Sequence, residues 1–164
     1  LVFRAPNNPY IAKTLQRFRT QSGLLKGFPK SGQGTRELFK ALKNGNGVGI
    51  LFDQKYNEGK PIPFFGQDAM TSTAPAELAL RFNCPLIPGY VKRTKGVHFE
   101  IIIGRPIALV TSKGRQKKPE EIMTDAQEHL ENWIRDIPEQ WLWLHRRWPK
   151  DTEPEVIEDE QSEH

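Results

Sequence analysis

The sequence contains a single cysteine, Cys84, among its 164 residues. One cysteine excludes an internal disulfide and any metal site built from several cysteines. The absence of disulfides fits a reducing compartment that faces the cytosol. Cys84 comes just before an apolar stretch, so it is interpreted as a buried structural thiol rather than a nucleophile.

Long hydrophobic runs are also missing. The longest, such as residues 48–52 and 101–103, fall far short of the roughly 18 apolar residues that a membrane span needs. No transmembrane segment is therefore predicted in this chain. The opening residues, LVFRAPNNPY, lack a Met, a basic n-region and a small-residue cleavage site, so they do not indicate a signal peptide. We expect the parent protein to extend further on the N-terminal side.

Signatures of cofactor and metal binding are absent from the sequence. Gly45, Gly47 and Gly49 precede an apolar run, whereas nucleotide-binding glycines follow a strand. The four histidines are scattered, without the clustered spacing that a metal site needs. The sequence therefore predicts neither a cofactor nor a metal.

Charge is distributed unevenly along the chain. Residues 150–164 carry seven acids and one base, so the preceding 149 residues hold 23 Lys and Arg against 13 Asp and Glu. A body this basic indicates an anionic partner, such as nucleic acid, anionic lipid, phosphorylated glycan or an acidic carrier protein, or else a generally soluble surface. The acidic tail has too little apolar content to fold and is predicted to be disordered.

The hydrophobic periodicity predicts a single α/β domain, with a mixed β-sheet flanked by helices and at least one helical crossover. Helices are expected at 9–20 with Asn8 as the N-cap, from Thr35 to a stop at Asn44, at 75–82 and at 119–134. Strands are expected at 1–3, 24–28, 48–52, 84–93 and 98–106, the last two as an antiparallel hairpin. Residues 55–73 are predicted to form a long loop and 111–119 a basic linker.

The candidate site begins where the apolar run 48–52 ends. Asp53 and Gln54 follow that run, and α/β enzymes commonly place binding groups at the end of a strand. The next loop supplies Lys60 and the hydroxyls of Thr71 and Thr73, which could position a polar acceptor. The alternative is a capped loop with a structural aspartate.

The segment PEQWLWLHRRW, residues 138–148, is dense in tryptophan and arginine. Stacking aromatics with interleaved arginines suit single-stranded nucleic acid. An amphipathic aromatic and basic segment suits a membrane interface instead. Packing of the tryptophans against the core is the third interpretation. Nucleic-acid binding is not expected, because no RNP motif or helix-turn-helix accompanies the segment.

Six segments together carry a family resemblance. They are RAPNNP (4–9), DQ (53–54), EGKPIPFFG (58–66), TSTAPAELALR (71–81), CPLIPGYVKR (84–93) and PEQWLWLHRRW (138–148). In this order and spacing the chain resembles the lipid A biosynthesis acyltransferases, the lauroyl/myristoyl branch of the lysophospholipid acyltransferases. The resemblance covers residues 1–149 and implies a partial, glycerolipid-acyltransferase-like domain.

The resemblance implies transfer of a fatty acyl chain from acyl-carrier protein, or a similar thioester, to a hydroxyl of a lipid A precursor or lysophospholipid. It places that reaction at the cytoplasmic face of the inner membrane, with the membrane surface as a partner. Such enzymes use a histidine base followed, after four residues, by an acid that orients it.

The sequence departs from the family pattern at this motif. The residues five positions after His98, His129 and His145 are Ile103, Ile134 and Lys150, and His164 is the last residue. The resemblance therefore implies a C-terminal fragment without a catalytic residue of its own, inactive by itself. The alternative is a non-catalytic binding module for anionic lipid.

By resemblance, this fragment supplies the substrate-binding half. Arg4 would contact phosphate, Asp53 and Gln54 would hold the polar head of the acceptor, and several other bases would contact anionic groups of the phosphosugar or the acidic carrier. The full set of substrate-binding candidates is Arg4, Asp53, Gln54, Lys60, Thr71, Thr73, Arg93, Arg146 and Arg147.

Overall fold

A computed structural model of the chain describes residues 2–3, 8–20, 28–29, 32–143 and 145–149. Helices and short strands alternate along these ranges, which confirms the mixed α/β class. The elements are β1 (Val2–Phe3), α1 (Pro9–Thr20), β2 (Phe28–Pro29), α2 (Gly32–Lys43), β3 (Lys60–Phe64), β4 (Gln67–Thr71), α3 (Ala74–Phe82), β5 (Gly89–Lys95), β6 (His98–Ile103), α4 (Pro119–Asp136) and a 3-10 turn (Pro138–Gln140). The predicted acidic tail, residues 150–164, lies outside the described residues.

The strands pair two by two. β1 and β2 are parallel, whereas β3 with β4 and β5 with β6 form antiparallel hairpins. Parallel strands need a crossover connection, and α1 lies between β1 and β2, so the predicted helical crossover is confirmed. In the described ranges these pairs form three separate two-stranded sheets rather than one continuous sheet.

The predicted buried strand at residues 48–52 is wrong. Its backbone is irregular, and the Leu51 side chain is 72% exposed. Gly47 and Gly49 explain the difference, because glycine loses much conformational freedom in a strand and offers no side chain to pack. Asp53 therefore follows an irregular segment rather than the end of a strand.

The predicted long loop at 55–73 instead contains the β3–β4 hairpin. Ile62 and Phe64 alternate with exposed prolines, and the burial of Ala69 and Thr71 alternates in the same way. Phe65 (φ 52°) and Gly66 (φ 79°) form its two-residue turn, and left-handed φ at both positions matches the right-handed strand twist. The prolines are tolerated because a two-stranded sheet has only edge strands.

Most helix boundaries follow the predicted signals. The N–H groups of Tyr10 and Ile11 donate to Asn8 Oδ1 at 2.9 and 3.4 Å, which confirms the N-cap of α1. α2 ends at the predicted stop, where Gly45 has a φ of +76°. It begins three residues earlier than expected, at Gly32.

The later strands differ from prediction mainly at their ends. β5 begins at Gly89 rather than at Cys84, because Pro85 and Pro88 have no N–H for a ladder. Of the expected strand at 24–28, only Phe28 is described, as the first residue of β2. The expected linker 111–119 contains a tight turn in which Thr111 N donates to Arg115 O at 2.8 Å.

The core lies where α4 packs against β3 and α3. The predicted apolar stripe of α4 is confirmed, since Ile122, Ala126, Leu130 and Ile134 are buried. These side chains meet the inward residues of the β3–β4 hairpin and of α3. None of the helices in the described ranges is long and apolar enough to span a membrane.

Candidate functional site

An apolar cleft of about 930 Å³ opens beside α4. Buried side chains of α4, including Met123 and Ala126, line it, and the irregular segment 45–53 lines it as well. Apolar side chains dominate this lining. Asp53 belongs to the lining and ends that segment, so one carboxylate lies beside an otherwise apolar space.

One face of the β5–β6 hairpin supplies another wall of the cleft. Val91 pairs with Ile101 and Gly89 pairs with Ile103, and all four residues line the cleft. The side chains of Val91, Ile101 and Ile103 are exposed. Alternate residues of a strand point to opposite faces. Tyr90, on the other face of the hairpin, also belongs to the lining, and its ring lies 4.4 Å from that of Trp133 on α4. This contact fixes the hairpin to α4.

A buried arginine lies next to this cleft lining. The Arg147 side chain is only 2% exposed. Its NH1 donates to Met70 O at 2.9 Å and its NH2 to Thr71 Oγ1 at 2.7 Å. The guanidinium carbon lies 5.1 Å from the centre of the Phe64 ring, within cation–π range. Two of the three guanidinium nitrogens are thus bonded to β4, and the Phe64 ring covers one face of the cation.

Thr71 is the centre of this buried polar cluster. Its hydroxyl donates to Ala69 O at 2.8 Å and accepts from Gln127 Nε2 at 3.0 Å as well as from Arg147. Gln127 is fully buried on α4. Within the described part of the chain, Gln127 Oε1 and Arg147 Nε find no hydrogen-bond partner.

Asp53 is electrostatically coupled to this cluster. Burial lowers the pKa of Arg147, and the negative charge of Asp53 partly opposes that effect. The loop after Asp53 is also fixed there, because Tyr56 N donates to Met70 O at 3.0 Å, the carbonyl that Arg147 uses. Asp53 is half-buried beside the cleft, and the buried Arg147 cation lies close enough to feel its charge.

The tryptophan segment, residues 138–148, packs partly against the β3–β4 hairpin. Trp148 Nε1 donates to Phe64 O at 3.0 Å, and the two rings stack with centroids 5.6 Å apart. Core packing, the third interpretation of this segment, therefore holds for Trp148 and Arg147. Leu142 and Trp143 remain exposed.

The structure brings Asp53, Thr71 and Arg147 together. Lys60 is exposed and pairs with Thr71 across the hairpin, and Gln54 is exposed one residue after Asp53. The other described candidates lie elsewhere: Thr73 Oγ1 donates to Glu77 at 2.6 Å, the Arg93 guanidinium carbon lies 5.0 Å from the Phe99 ring centre, and Arg146 is exposed. Arg4 lies outside the described residues.

Two residues missed in the sequence complete the site. Gln127 supports Thr71, and Gln140 ties the tryptophan segment to β5 by bonding both the N–H and the C=O of Arg93, at 2.8 and 2.9 Å. Gln127 could have been found from the sequence, because it lies three residues before Leu130 and seven before Ile134, which both belong to the apolar stripe of α4. A polar residue within such a stripe needs buried partners.

Groups of three or more metal-binding side chains are not found among the described residues. The site thus combines an apolar cleft, the Asp53 carboxylate in its lining and the buried Arg147 cation nearby.

A sequence model of the bacterial lipid A biosynthesis acyltransferases matches residues 1–150. The chain belongs to this family. Members of the family are enzymes of lipid A biosynthesis that transfer acyl groups. No curated protein matches the chain closely enough to report.

Proposed function

We propose that this acyltransferase family member moves a fatty acyl chain from acyl-carrier protein, or a similar thioester, to a hydroxyl of a lipid A precursor or lysophospholipid. Residues 1–149 form the substrate-binding part of the acyltransferase domain in this proposal. The observation that carries the proposal is the apolar cleft with Asp53 in its lining, in a chain that belongs to this family.

The acyl chain occupies the cleft in this proposal. A cleft of about 930 Å³ falls within the range of small-molecule sites, about 300–1,000 Å³. Its lining comes from apolar side chains of α4, β5 and β6. Each methylene that leaves water for such a lining contributes about 0.8 kcal/mol. An acyl chain therefore gains binding energy along its whole length.

Asp53 and Gln54 hold the polar head of the acceptor. The carboxylate of Asp53 accepts hydrogen bonds from hydroxyls, and the exposed amide of Gln54 can both donate and accept. Arg147 and Thr71 are buried and bonded to each other, so they act by positioning the loop that carries Asp53.

The exposed bases receive the anionic parts of the two substrates. Lys60, Arg93 and Arg146 are exposed, and by resemblance Arg4 joins them. Phosphate on the acceptor and the acidic surface of a carrier protein are the partners that such cations favour. The reaction takes place at the cytoplasmic face of the inner membrane, where both substrates meet.

The proposal assigns the proton transfer to another part of the enzyme. None of the histidines of this sequence is followed by an acid at the fifth position. A His-x4-acid pair outside this sequence removes the proton of the acceptor hydroxyl, while this chain orients that hydroxyl and the acyl chain. No cofactor takes part in this scheme.

Replacement of Asp53 in the complete enzyme, which carries the histidine pair, tests the proposal. Asp53→Ala is expected to lower kcat/KM for acyl transfer about 10- to 100-fold, because hydrogen bonds to a charged group contribute roughly 1.5–3 kcal/mol. Asp68→Ala, at an exposed carboxylate on β4, is the matched control and should leave the rate unchanged. Equal rates for the two variants would contradict the role of Asp53. Binding of phosphorylated lipid without any thioester turnover would favour the non-catalytic lipid-binding module.

A further inference from the structure

We infer that Ala126, at the buried end of the cleft, limits the length of the acyl chain that the enzyme transfers. The inference rests on the proposed function, because it places chain-length selection in the cleft that holds the acyl chain. Ala126 determines specificity in this way without taking part in the proton transfer.

The side of α4 that lines the cleft becomes more exposed toward the C-terminal end of the helix. Met123 and Ala126 are only 1% and 3% exposed. Leu130 and Ile134 are each 9% exposed. Gln140, just beyond the helix, also lines the cleft and is exposed. The cleft is therefore closed by the protein core at the Met123 end and reaches the surface at the other end.

The polar groups of the site lie on the more exposed side of the cleft. The Arg147 guanidinium carbon lies 5.1 Å from the centre of the Phe64 ring. That ring packs in one core cluster with Leu130 and Ile134. Asp53 lies close enough to Arg147 for the cation to feel its charge. An acceptor head held by Asp53 is therefore beside this cluster rather than at the closed end of the cleft.

A second core cluster forms the closed end. Met123 and Ala126 pack there with Ile107, and all three line the cleft. Met123, Ala126 and Leu130 are three and four positions apart, so their side chains share one face of α4. The Ala126 Cβ thus faces the cleft between two larger side chains. Since alanine has no atom beyond Cβ, the space next to it receives the last carbons of an acyl chain that begins near Asp53.

A larger side chain at position 126 should favour shorter acyl chains. One methylene more or less in an apolar pocket changes specificity by about 10- to 200-fold. Ala126→Val is therefore expected to lower the rate for the preferred chain, relative to one that is two carbons shorter, by about tenfold or more. Met123→Ala removes atoms from the same end of the cleft and should shift the preference toward longer chains by a similar factor.

Competition between acyl chains in the complete enzyme, which carries the histidine pair, measures this preference. An equal mixture of saturated acyl thioesters that differ by two carbons is supplied with the acceptor, and the products are counted by mass spectrometry. The ratio of two products equals the ratio of their kcat/KM values. A variant that folds less well because its core is overpacked forms less of every product, so the ratio reports specificity alone.

The chain offers a matched control for each change. Ala76 and Ile122 belong to the same core cluster as Ala126 and are 0% exposed, but they lie outside the cleft lining that the described residues form. Ala76→Val and Ile122→Ala repeat the two kinds of change in that cluster. Both controls should lower stability and leave the product ratio of the unaltered enzyme in place.

The inference is overturned if Ala126→Val leaves the product ratio unchanged, or if Ala76→Val shifts it as much. If the complete enzyme transfers none of the chains, the proposed function fails instead. Chain-length selection is then measured by binding: unlabelled thioesters of each length compete with a diazirine-bearing acyl thioester for the full chain. Ala126→Val should shorten the longest thioester that competes, and an unchanged limit would overturn the inference.

Discussion

At the scale of single residues, the buried Arg147 joins three parts of the chain. It bonds β4 through Met70 O and Thr71 Oγ1, it lies over the Phe64 ring, and it belongs to the tryptophan segment. A buried cation is costly unless its donors are bonded, and two of its three nitrogens are. These contacts hold the tryptophan segment, which follows α4, against the β3–β4 hairpin.

Truncation of Arg147 should weaken the attachment of the tryptophan segment to the β3–β4 hairpin. Arg147→Ala is expected to lower the free energy of unfolding by about 2–4 kcal/mol, because two charge-assisted hydrogen bonds and a buried side chain are lost. Met70 O keeps its bond from Tyr56 N and Thr71 Oγ1 keeps that from Gln127 Nε2, which limits the loss. Urea unfolding measures the change. Arg105→Ala, at an exposed position, should change the free energy of unfolding by less than about 0.5 kcal/mol. Similar values for both variants would contradict the role of Arg147 in holding the tryptophan segment.

The pH dependence of stability has a contribution from Glu121. Its carboxylate accepts from Arg115 NH2 and NH1 at 2.7 and 3.0 Å and from Lys118 N at 2.6 Å. The Arg115 guanidinium, and then the Lys118 N–H, lower the pKa of Glu121 from its ordinary 4.5 to about 2. Because the folded pKa is the lower one, the stabilisation is present above pH 4.5 and is lost as the pH falls toward 2.

Glu121→Gln should therefore flatten the loss of stability in acid. The unaltered chain is expected to lose more stability than the variant as the pH falls from 4.5 to about 2. Urea unfolding at a series of pH values, with NMR titration of the Glu121 carboxyl, measures both effects. A Glu121 midpoint close to 4.5 would contradict the arrangement around this carboxylate.

The sequence predicted single residues well where one local rule decides their role. Asn8 was recognised as an N-cap because capping depends only on nearby backbone. Arg147 was assigned to substrate contact because a sequence does not reveal which of two adjacent arginines turns inward. Arg146 is exposed and Arg147 is buried, and the difference arises from the distant β4 strand.

At the scale of elements, the β3–β4 hairpin is fixed to α4 at both ends. At its tip, Phe65 N donates to Glu131 Oε1 at 2.7 Å, and Arg135 donates to the other oxygen of the same carboxylate at 2.8 Å. At its open end, Thr71 accepts from Gln127. These contacts place the loop that carries Asp53 against a rigid support.

Gly59 is required for the close approach of that loop to β4. A Cβ at this position would lie 2.2 Å from Thr71 O and 2.9 Å from Tyr56 O, so the backbone would have to shift. Gly59→Ala is expected to lower the free energy of unfolding by about 1–3 kcal/mol, the usual range for overpacking. Gly32→Ala, which meets nothing within 4 Å at the start of α2, should leave stability unchanged or slightly higher. Equal effects of both changes on urea unfolding would contradict the close packing of the loop.

Helices were predicted more successfully than strands for a physical reason. The stripe of α4 and the cap of α1 depend on local spacing, which the sequence displays directly. Strand formation depends on partners far along the chain. The run 48–52 is apolar yet irregular, whereas KPIPF forms β3 despite its two prolines because β4 lies beside it.

At the scale of the whole molecule, the family and the cleft support the same account. Residues 1–150 match the lipid A biosynthesis acyltransferases, and α4, β5, β6 and the segment 45–53 line an apolar cleft that the Asp53 carboxylate also borders. The family resemblance was visible in short sequence segments. The cleft was not, because its lining comes from segments as far apart as Leu42 and Trp141.

The central claim is that the acyl chain binds in this cleft, and photo-crosslinking tests it most directly. The full chain is exposed to a fatty acyl thioester that carries a diazirine on its alkyl chain, and the labelled peptides are identified by mass spectrometry. The account predicts labels on cleft residues, above all Leu86, Ile101 and Met123, and their loss when an excess of unlabelled thioester competes. Labels confined to exposed residues away from the cleft, such as Val97 or Phe18, or labels that resist competition, would contradict it.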